Sequence, residues 1–275
     1  MKRPGDFHIH TNYCPHGTTD SMEDYVQAAM TKGLKAISFT EHAPFPKAFT
    51  DPTPTKDSAM LTEDLEKYFA EGNRLKKRYQ DKINIYVGFE LDYIIGFEKE
   101  TKTFLDTYGE QMGDGILSVH MLQAPDGSFV CLDYSLENFA NIIEQFGSVD
   151  KVYQAYFKTV AASIEADLGK YKPNRIGHIS LIEKFAKKYP PLKNYQDNYM
   201  QLLQLIKDNN YTLDANTAGL YKADCGKMYP PQNLMEIADQ MGIALVPGSD
   251  SHAANTIARG FDQLPASISY TFPKK

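Results

Sequence analysis

The sequence predicts an α/β fold built on parallel strands. Seven short β-like runs alternate with amphipathic helix-like segments along the 275 residues, a pattern typical of a parallel barrel or a doubly wound sheet. Histidine or carboxylate side chains follow most of these runs, and active sites of such folds collect at the carboxyl ends of the strands. The length suffices for one large α/β domain or two small ones. We therefore expect a functional site where the strands end.

The first half of the chain contains four of the predicted strands. A short apolar run ends in His8-Ile9-His10, and the segment from Ser21 to Gly33 has the capping residue and glycine stop of a helix. Residues 43–59 contain four prolines and predict a loop long enough to form a lid or a wall of a site. The remaining elements predicted here are strands over 34–40, 83–90 and 115–120, which lead into Glu41-His42, Glu90 and His120, and helices over 62–79 and 99–108.

The second half continues the alternation. Pro125-Asp126-Gly127 predicts a tight turn between extended pieces at 121–124 and 128–132. A loop containing glycine and proline follows residue 216 up to Pro231, which suits the first turn of a helix. The other predicted elements are helices over 136–146, 149–168, 181–188, 195–208 and 232–241, and strands over 175–178, 211–216 and 243–248, the last leading into Ser249-Asp250-Ser251-His252.

The composition limits the classes of function. A formal net charge of −6 gives no general electrostatic reason to bind nucleic acid or an anionic membrane. Cys14, Cys131 and Cys225 are an odd number of widely spaced cysteines, which fits a reducing compartment better than a disulfide framework. The sequence shows neither a signal-peptide pattern nor an apolar span of transmembrane length. We expect a cytoplasmic, soluble protein.

The placement of the histidines predicts a metal centre. His8 and His10 lie two residues apart on a strand, so both side chains point to the same face and can bind one cation. The predicted helices contain no histidine, whereas all seven histidines, with Glu90 and Asp250, fall at or just after strand ends. Nine such side chains exceed the four to six or so ligands of one ion, which indicates two or three divalent metal ions.

The order of these residues resembles the polymerase and histidinol phosphatase (PHP) superfamily. The matching motifs are His8-Ile9-His10, His16, Thr40-Glu41-His42, Gly88-Phe89-Glu90, His120, Gly177-His178 and Asp250-Ser251-His252. The resemblance implies a distorted (β/α)7 barrel, with residues 1–275 as a single PHP-type catalytic domain and a metal cluster at the carboxyl ends of the strands.

The resemblance also implies three sets of metal ligands. One ion would take His8, His10, Glu90 and Asp250; a second would take Glu90, His120 and His178; a third would take His16, His42 and His252. Glu90 would bridge the first two ions, and a hydroxide shared between them would attack phosphorus. Because imidazole and carboxylate accept Zn, Fe and Mn alike, the sequence leaves the metals open. It also leaves the oligomeric state open.

Within the superfamily, the runs at 115–121 and 216–230 resemble the branch that hydrolyses L-histidinol phosphate, a small phosphate monoester. Relatives often carry an arginine after the leucine of the second run, whereas this chain has Tyr221 and then Lys222. The predicted substrate contacts are Arg175, Lys222 and Ser118, and Asp250 or His252 is the candidate to supply a proton to the leaving alkoxide.

Several features have alternative interpretations. Cys14 lies between ligands, but the other nine suffice, so we expect no sulfur ligand. Loop aromatics could line an imidazole pocket and acidic residues could pair with the substrate amine; these are Tyr13, Phe45 and Tyr229, and Asp92 or Asp224. A phosphodiesterase or exonuclease would use the same cluster but would need a basic track with stacking aromatics. A non-catalytic metal-binding protein would tolerate loss of ligands, and here none is missing.

Overall fold

The computed structural model describes residues 4–274 and contains a parallel sheet of seven strands that pair in chain order, from the first to the last. Ile9 pairs with Ser251, the His10 amide donates to the Ser251 carbonyl at 2.9 Å, and the Asp250 amide donates to the His8 carbonyl at 2.8 Å. These contacts join the first strand to the segment after the last one, so the sheet curves into a nearly closed barrel. The predicted distorted (β/α)7 barrel is confirmed. Its strands are β1 Asp6–Ile9, β2 Ala36–His42, β3 Asn84–Asp92, β4 Asp114–Ser118, β7 Arg175–Ile176, β8 Thr212–Asn216 and β9 Leu245–Gly248.

Seven α-helices among the described residues alternate with the strands. The predicted capping of the first helix is confirmed, because the Ser21 hydroxyl accepts from the Asp24 amide while the Asp24 carboxylate accepts from the Ser21 amide. Two later helices are capped by one hydrogen bond each, since the Ser135 hydroxyl accepts from the Asn138 amide and the Ser148 hydroxyl accepts from the Lys151 amide. The helices are α1 Met22–Thr31, α2 Leu65–Arg78, α3 Glu98–Tyr108, α4 Leu136–Phe146, α5 Val149–Glu165, α6 Gln196–Asp208 and α7 Gln232–Gln240. None of the helices within residues 4–274 is both long and apolar enough to cross a membrane.

Two elements differ from the sequence prediction. The strand predicted over 175–178 pairs only through Arg175–Ile176, after which the chain turns. The helix predicted over 181–188 is a 3₁₀ helix, Leu181–Phe185, because its amides bond to carbonyls three residues back. This tight segment turns the chain immediately after the end of β7, where His178 lies.

A separate hairpin follows β4 and lies outside the barrel sheet. The strands β5 Met121–Gln123 and β6 Phe129–Cys131 pair in antiparallel register, as the Pro-Asp-Gly turn predicts, and Gly127 adopts φ +87° at the turn. Because the hairpin begins one residue after His120, it stands at the end of the barrel that carries the histidines.

The interior of the barrel contains a buried arginine and two carboxylates. Arg175 is 1% exposed; its Nη2 donates to Asp114 Oδ2 at 2.6 Å and to the Phe7 carbonyl at 2.7 Å, and its Nη1 lies 3.4 Å from Asp214 Oδ1. A buried arginine of this kind requires paired carboxylates, since leaving it unpaired would be strongly destabilising. The group therefore joins β1, β4, β7 and β8 inside the barrel.

Candidate metal centre

Glu90, near the end of β3, lies at the centre of the histidine cluster, with its side chain 1% exposed. Its Oε2 lies 3.3 Å from His8 Nε2, 3.5 Å from His10 Nε2 and 3.3 Å from His42 Nδ1. His8 and His10 reach this oxygen together, because they alternate with Ile9 on β1. One carboxylate oxygen thus faces three imidazoles.

The other oxygen of Glu90 faces a different pair of imidazoles. Oε1 lies 2.9 Å from His178 Nε2 and 3.9 Å from His120 Nε2, and it accepts a hydrogen bond from the Ser118 hydroxyl at 2.6 Å. A carboxylate whose two oxygens face separate groups of ligands has the arrangement of a bridge between two metal ions.

Asp250 adds a second carboxylate beside the first group. Its Oδ1 lies 3.1 Å from His10 Nε2 and 3.7 Å from His8 Nε2, while its Oδ2 accepts from the Asn216 side chain at 3.2 Å. The backbone of Asp250 is left-handed, with φ +54°, a conformation that non-glycine residues seldom adopt and that often occurs at functional sites.

His16 and His252 lie at the outer edge of the cluster. Their Nε2 atoms are 3.2 Å apart, and His16 Nδ1 lies 2.7 Å from the Asp57 carbonyl. The long loop over 43–59 thus orients one of the candidate ligands, in agreement with its predicted role as a wall of the site.

Cys14 lies closer to the cluster than the sequence indicated. Ligand atoms of His10, Cys14, His42 and His252 all lie within 4.8 Å of one another. The structure therefore groups His42 and His252 with a buried thiol as well as with His16. That no sulfur ligand is needed stays a prediction.

Carboxylates orient three of the imidazoles from behind by contacting Nδ1, which leaves Nε2 directed into the cluster. The pairs are His8 with Asp214 Oδ2 at 2.8 Å, His10 with Glu41 Oε1 at 3.3 Å and His120 with Asp92 Oδ1 at 2.8 Å. Sequence reasoning missed Asp214 and Glu41 as functional residues, although Glu41 immediately precedes His42 at a strand end. Asp92, a candidate for the substrate amine, contacts His120 and also lines the cavity above the cluster.

The charges of the metal-free site favour a cation. Burial opposes the ionisation of Glu90, but the neighbouring His8 and His120 hold its pKa well below its usual range. Burial also opposes the protonation of His8, yet Glu90, Asp214 and Asp250 raise the pKa of this imidazole well above its usual value. The buried carboxylates thus stabilise positive charge in the cluster, which is carried either by protonated imidazoles or by bound metal ions.

Two further imidazoles behave in the same way. For His10, burial lowers the pKa, but Asp250 and Glu41 raise it to about 9. For His120, burial lowers the pKa, but nearby carboxylates, of which Asp92 has the largest effect, raise it to about 10. Metal binding must displace these protons, since imidazole binds metals in its neutral form.

The residues present fit divalent metal ions. His8 Nε2, His10 Nε2 and His42 Nδ1 are buried and form no well-aligned hydrogen bond among the described residues, although carboxylate oxygens lie nearby; a bound ion would satisfy these nitrogens. The Nε2 atoms of His120 and His178 are 3.1 Å apart, close to the roughly 3.3 Å between two nitrogens on one tetrahedral zinc ion. The groups able to hold an ion include His8-His10-Glu90 and Glu90-His120-His178.

A cavity of about 590 Å³ opens above the cluster. Among the substrate contacts proposed from the sequence, Lys222 lines this cavity, and Tyr229 from the same loop does so too. Lys184 and Arg259, which sequence reasoning missed, also line it. The three cations of the cavity wall suit an anionic ligand.

Other residues that the sequence singled out lie elsewhere. Tyr13 donates to Glu71 at 3.2 Å, and Phe45 packs against Phe49 in a small apolar cluster, so neither lines the cavity. Asp224 is also absent from the cavity wall.

Two proposed substrate contacts need correction. Arg175, on the short strand β7, points into the barrel, where Asp114 and Asp214 hold its side chain. It therefore does not line the cavity. Ser118 is 1% exposed and donates to Glu90, so it orients a metal ligand rather than contacting substrate. Gly177 makes room for Ser118, because a Cβ at this position would lie 2.0 Å from the Ser118 hydroxyl oxygen.

A parallel barrel with clustered imidazoles around a shared carboxylate defines the class of multinuclear metal-dependent hydrolases. The chain belongs to the PHP domain family, which matches residues 6–218. It is 45% identical over 264 residues to a protein named histidinol-phosphatase from Bacillus subtilis (strain 168), covering 95% of this chain and 97% of the relative.

Solved structures share the fold. A crystal structure from Listeria monocytogenes, whose description proposes a histidinol phosphatase, superimposes with a TM-score of 0.88 at 39% identity and covers 95% of this chain and 99% of that one. Histidinol phosphate phosphatase from Lactococcus lactis, solved with Zn, L-histidinol and phosphate, has a TM-score of 0.68 at 21% identity, with 92% and 88% covered. The second likeness concerns the fold alone.

Proposed function

We propose that this chain is a histidinol-phosphatase, a metal-dependent phosphomonoesterase that hydrolyses L-histidinol phosphate to L-histidinol and phosphate. The observation that carries the proposal is the position of Glu90, whose two oxygens face separate imidazole groups in a cavity that cations also line. The 45% identity to the Bacillus histidinol-phosphatase, over nearly the whole of both chains, supports the substrate assignment.

The proposed ligand sets follow the geometry of the cluster. One ion would be held by His8, His10, Glu90 and Asp250, a second by Glu90, His120 and His178, and a third by His16, His42 and His252. When bound, such ions supply a water nucleophile at neutral pH and neutralise phosphate charge. Zn, Fe and Mn all suit these ligands.

The chain's own residues would bind and orient the substrate. Lys222 and Lys184 at the cavity wall attract the phosphate dianion, although Lys184 also pairs with Asp133 at 2.9 Å. Asp250 is a carboxylate whose pKa in the metal-free site is held well below its usual range by His8 and His10, against the effect of burial. We assign to it the transfer of a proton from the attacking water to the leaving alkoxide, with His252 as the alternative.

We also propose that residues 1–275 act as one catalytic domain in the cytoplasm. Strand β9 and the ligands after it lie beyond the matched residues 6–218 yet belong to the same barrel. The three cysteines are free thiols, which is typical of a reducing compartment. The cations of the site line one cavity sized for a small molecule, so we propose neither nucleic acid nor membrane as a partner.

The test is a comparison of kcat/KM for three substrates on one metal-analysed preparation: L-histidinol phosphate, p-nitrophenyl phosphate and a dinucleotide. We expect L-histidinol phosphate to have the highest kcat/KM although the aryl ester has the better leaving group. The reason is that protein contacts to the amine and imidazole of histidinol phosphate stabilise the transition state. A higher value for the aryl ester, or efficient cleavage of the dinucleotide, would reject the dedicated phosphatase. No turnover of any ester by metal-loaded protein would favour a non-catalytic role.

A further inference from the structure

We infer that Arg259, stacked on the ring of Tyr221, is a phosphate-binding residue of the cavity; the inference rests on the proposed phosphatase function. The guanidinium carbon lies 3.5 Å from the centroid of the Tyr221 ring, and both residues line the cavity beside His252. They come from different segments, Tyr221 from the loop after β8 and Arg259 from the chain beyond β9.

The stacked geometry leaves the hydrogen-bonding edge of Arg259 available. An aromatic ring that covers one face of a guanidinium contacts its π system, while the N–H groups point outward in the plane. Arg259 is exposed, and no carboxylate of the described residues forms an ion pair with it. A planar fork fixed in this way matches two oxygens of a phosphate.

Two of the other basic residues around the site are engaged by carboxylates. Arg175 is used inside the barrel by Asp114 and Asp214, and Lys184 is paired with Asp133. Of the cations that line the cavity, Lys222 and Arg259 have no ion pair within residues 4–274, and only arginine can bind phosphate through two parallel hydrogen bonds.

The backbone around Arg259 is built to hold it in this position. Ala258 before it is left-handed, with φ +52°, and Gly260 after it has φ +80°. The Ala258 amide donates to the fully buried Asp6 at 2.7 Å, and the Arg259 carbonyl accepts from the Thr217 hydroxyl at 2.6 Å. Strained residues persist when surrounding contacts fix them, and they cluster at ligand sites.

The glycine after Arg259 also belongs to this arrangement. A Cβ at Gly260 would lie 3.2 Å from Cε2 of Tyr221 and 3.3 Å from Cβ of Thr217. The turn therefore packs directly against the segment that carries the tyrosine, which places the arginine over the ring.

The experiment measures binding of inorganic phosphate to the metal-loaded full chain by calorimetry, which requires no turnover. The variants are Arg259→Ala, Arg259→Gln and Arg259→Lys, with Arg74→Ala as the matched control, since Arg74 pairs with Glu23 on the outer surface. Loss of a charge-assisted contact should weaken phosphate binding about 10- to 100-fold in the Ala and Gln variants. Arg259→Lys should recover only part of this loss, because lysine is a point charge.

Further readouts separate a binding role from a structural one. Metal content should equal that of wild type in all variants, Tyr221→Phe should bind phosphate normally, and Tyr221→Ala should weaken it several-fold. Phosphate affinity within about twofold of wild type in both Arg259→Ala and Arg259→Gln would overturn the inference. L-histidinol binding to the wild type tests the proposed substrate separately: if it is absent while Arg259→Ala still loses phosphate affinity, the proposed substrate fails and the role of Arg259 stands.

Discussion

Substitution Glu90→Gln tests the shared carboxylate most directly. Glutamine has nearly the same shape, so it removes the charge while leaving an oxygen that can still contact a metal ion. The carboxylate lies 3.3 Å from His8 Nε2 and 2.9 Å from His178 Nε2, so an ion on either side would lie close to it. Two unit charges about 4 Å apart interact with roughly 4 kcal/mol at an effective dielectric constant of about 20.

That energy corresponds to a factor of about 10³ in affinity. Because the amide oxygen retains part of the contact, we expect metal affinity to fall about 10²- to 10³-fold at the two sites that Glu90 shares, and kcat to fall at least about 100-fold. KM should change far less, since the cations that line the cavity are unaffected.

The assay is phosphate release with metal analysis of the same sample, and thermal unfolding checks that the fold is retained. Glu23→Gln is the control, because this carboxylate pairs with Arg74 and Arg78 on the outer surface. Activity of Glu90→Gln within about threefold of wild type, at unchanged metal content, would refute the bridging role.

Three other predictions follow from the site. Arg175→Met should lower the free energy of unfolding by about 3–5 kcal/mol, because it leaves buried carboxylates unpaired, while phosphate affinity of the folded protein stays within about twofold; denaturant titration with calorimetry checks both. Asp214→Asn should weaken metal binding about 10- to 100-fold by releasing His8, and a metal titration showing no change would contradict the orienting role. His10 and His120, with pKa values of about 9 and 10 in the metal-free chain, remain protonated above the ordinary histidine value of 6.5. Their contribution to metal-free stability is full below about pH 6.5 and is lost as the pH rises through 9 to 10. Metal binding near pH 7.5 should therefore release protons, and a binding heat independent of the buffer's ionisation enthalpy would contradict this.

The sequence predicts which imidazoles and carboxylates meet, because their placement depends on local geometry. Alternation along a strand puts His8 and His10 on one face, and parallel strands bring Glu90 and His178 to the same end of the sheet. These relations need no knowledge of the exact register. The confirmed barrel and capping of α1 depend on equally local patterns.

The substrate contacts depend on relations that sequence patterns do not contain. Whether Arg175 points inward is decided by partners on neighbouring strands, Asp114 and Asp214, whose register with it is a tertiary property. Arg259 reaches the cavity through a left-handed turn at Ala258, and nothing in Ala-Arg-Gly indicates which loop it meets. Tyr221 is its partner only in the folded chain.

The closure of the barrel has a consequence for how the protein forms. Asp6 accepts hydrogen bonds from Ser249, 243 positions along the chain, and β1 meets the segment after β9 in the same region. Contacts of such long sequence separation carry a large loop-closure cost and form slowly. A nascent chain that lacks its last strand can make the helices and most strand pairs, but it cannot bring Asp250 to His8. The proposed site that uses Asp250 is therefore completed only after nearly the entire chain has been synthesised, whereas the group Glu90-His120-His178 needs no residue beyond β7 and the turn after it.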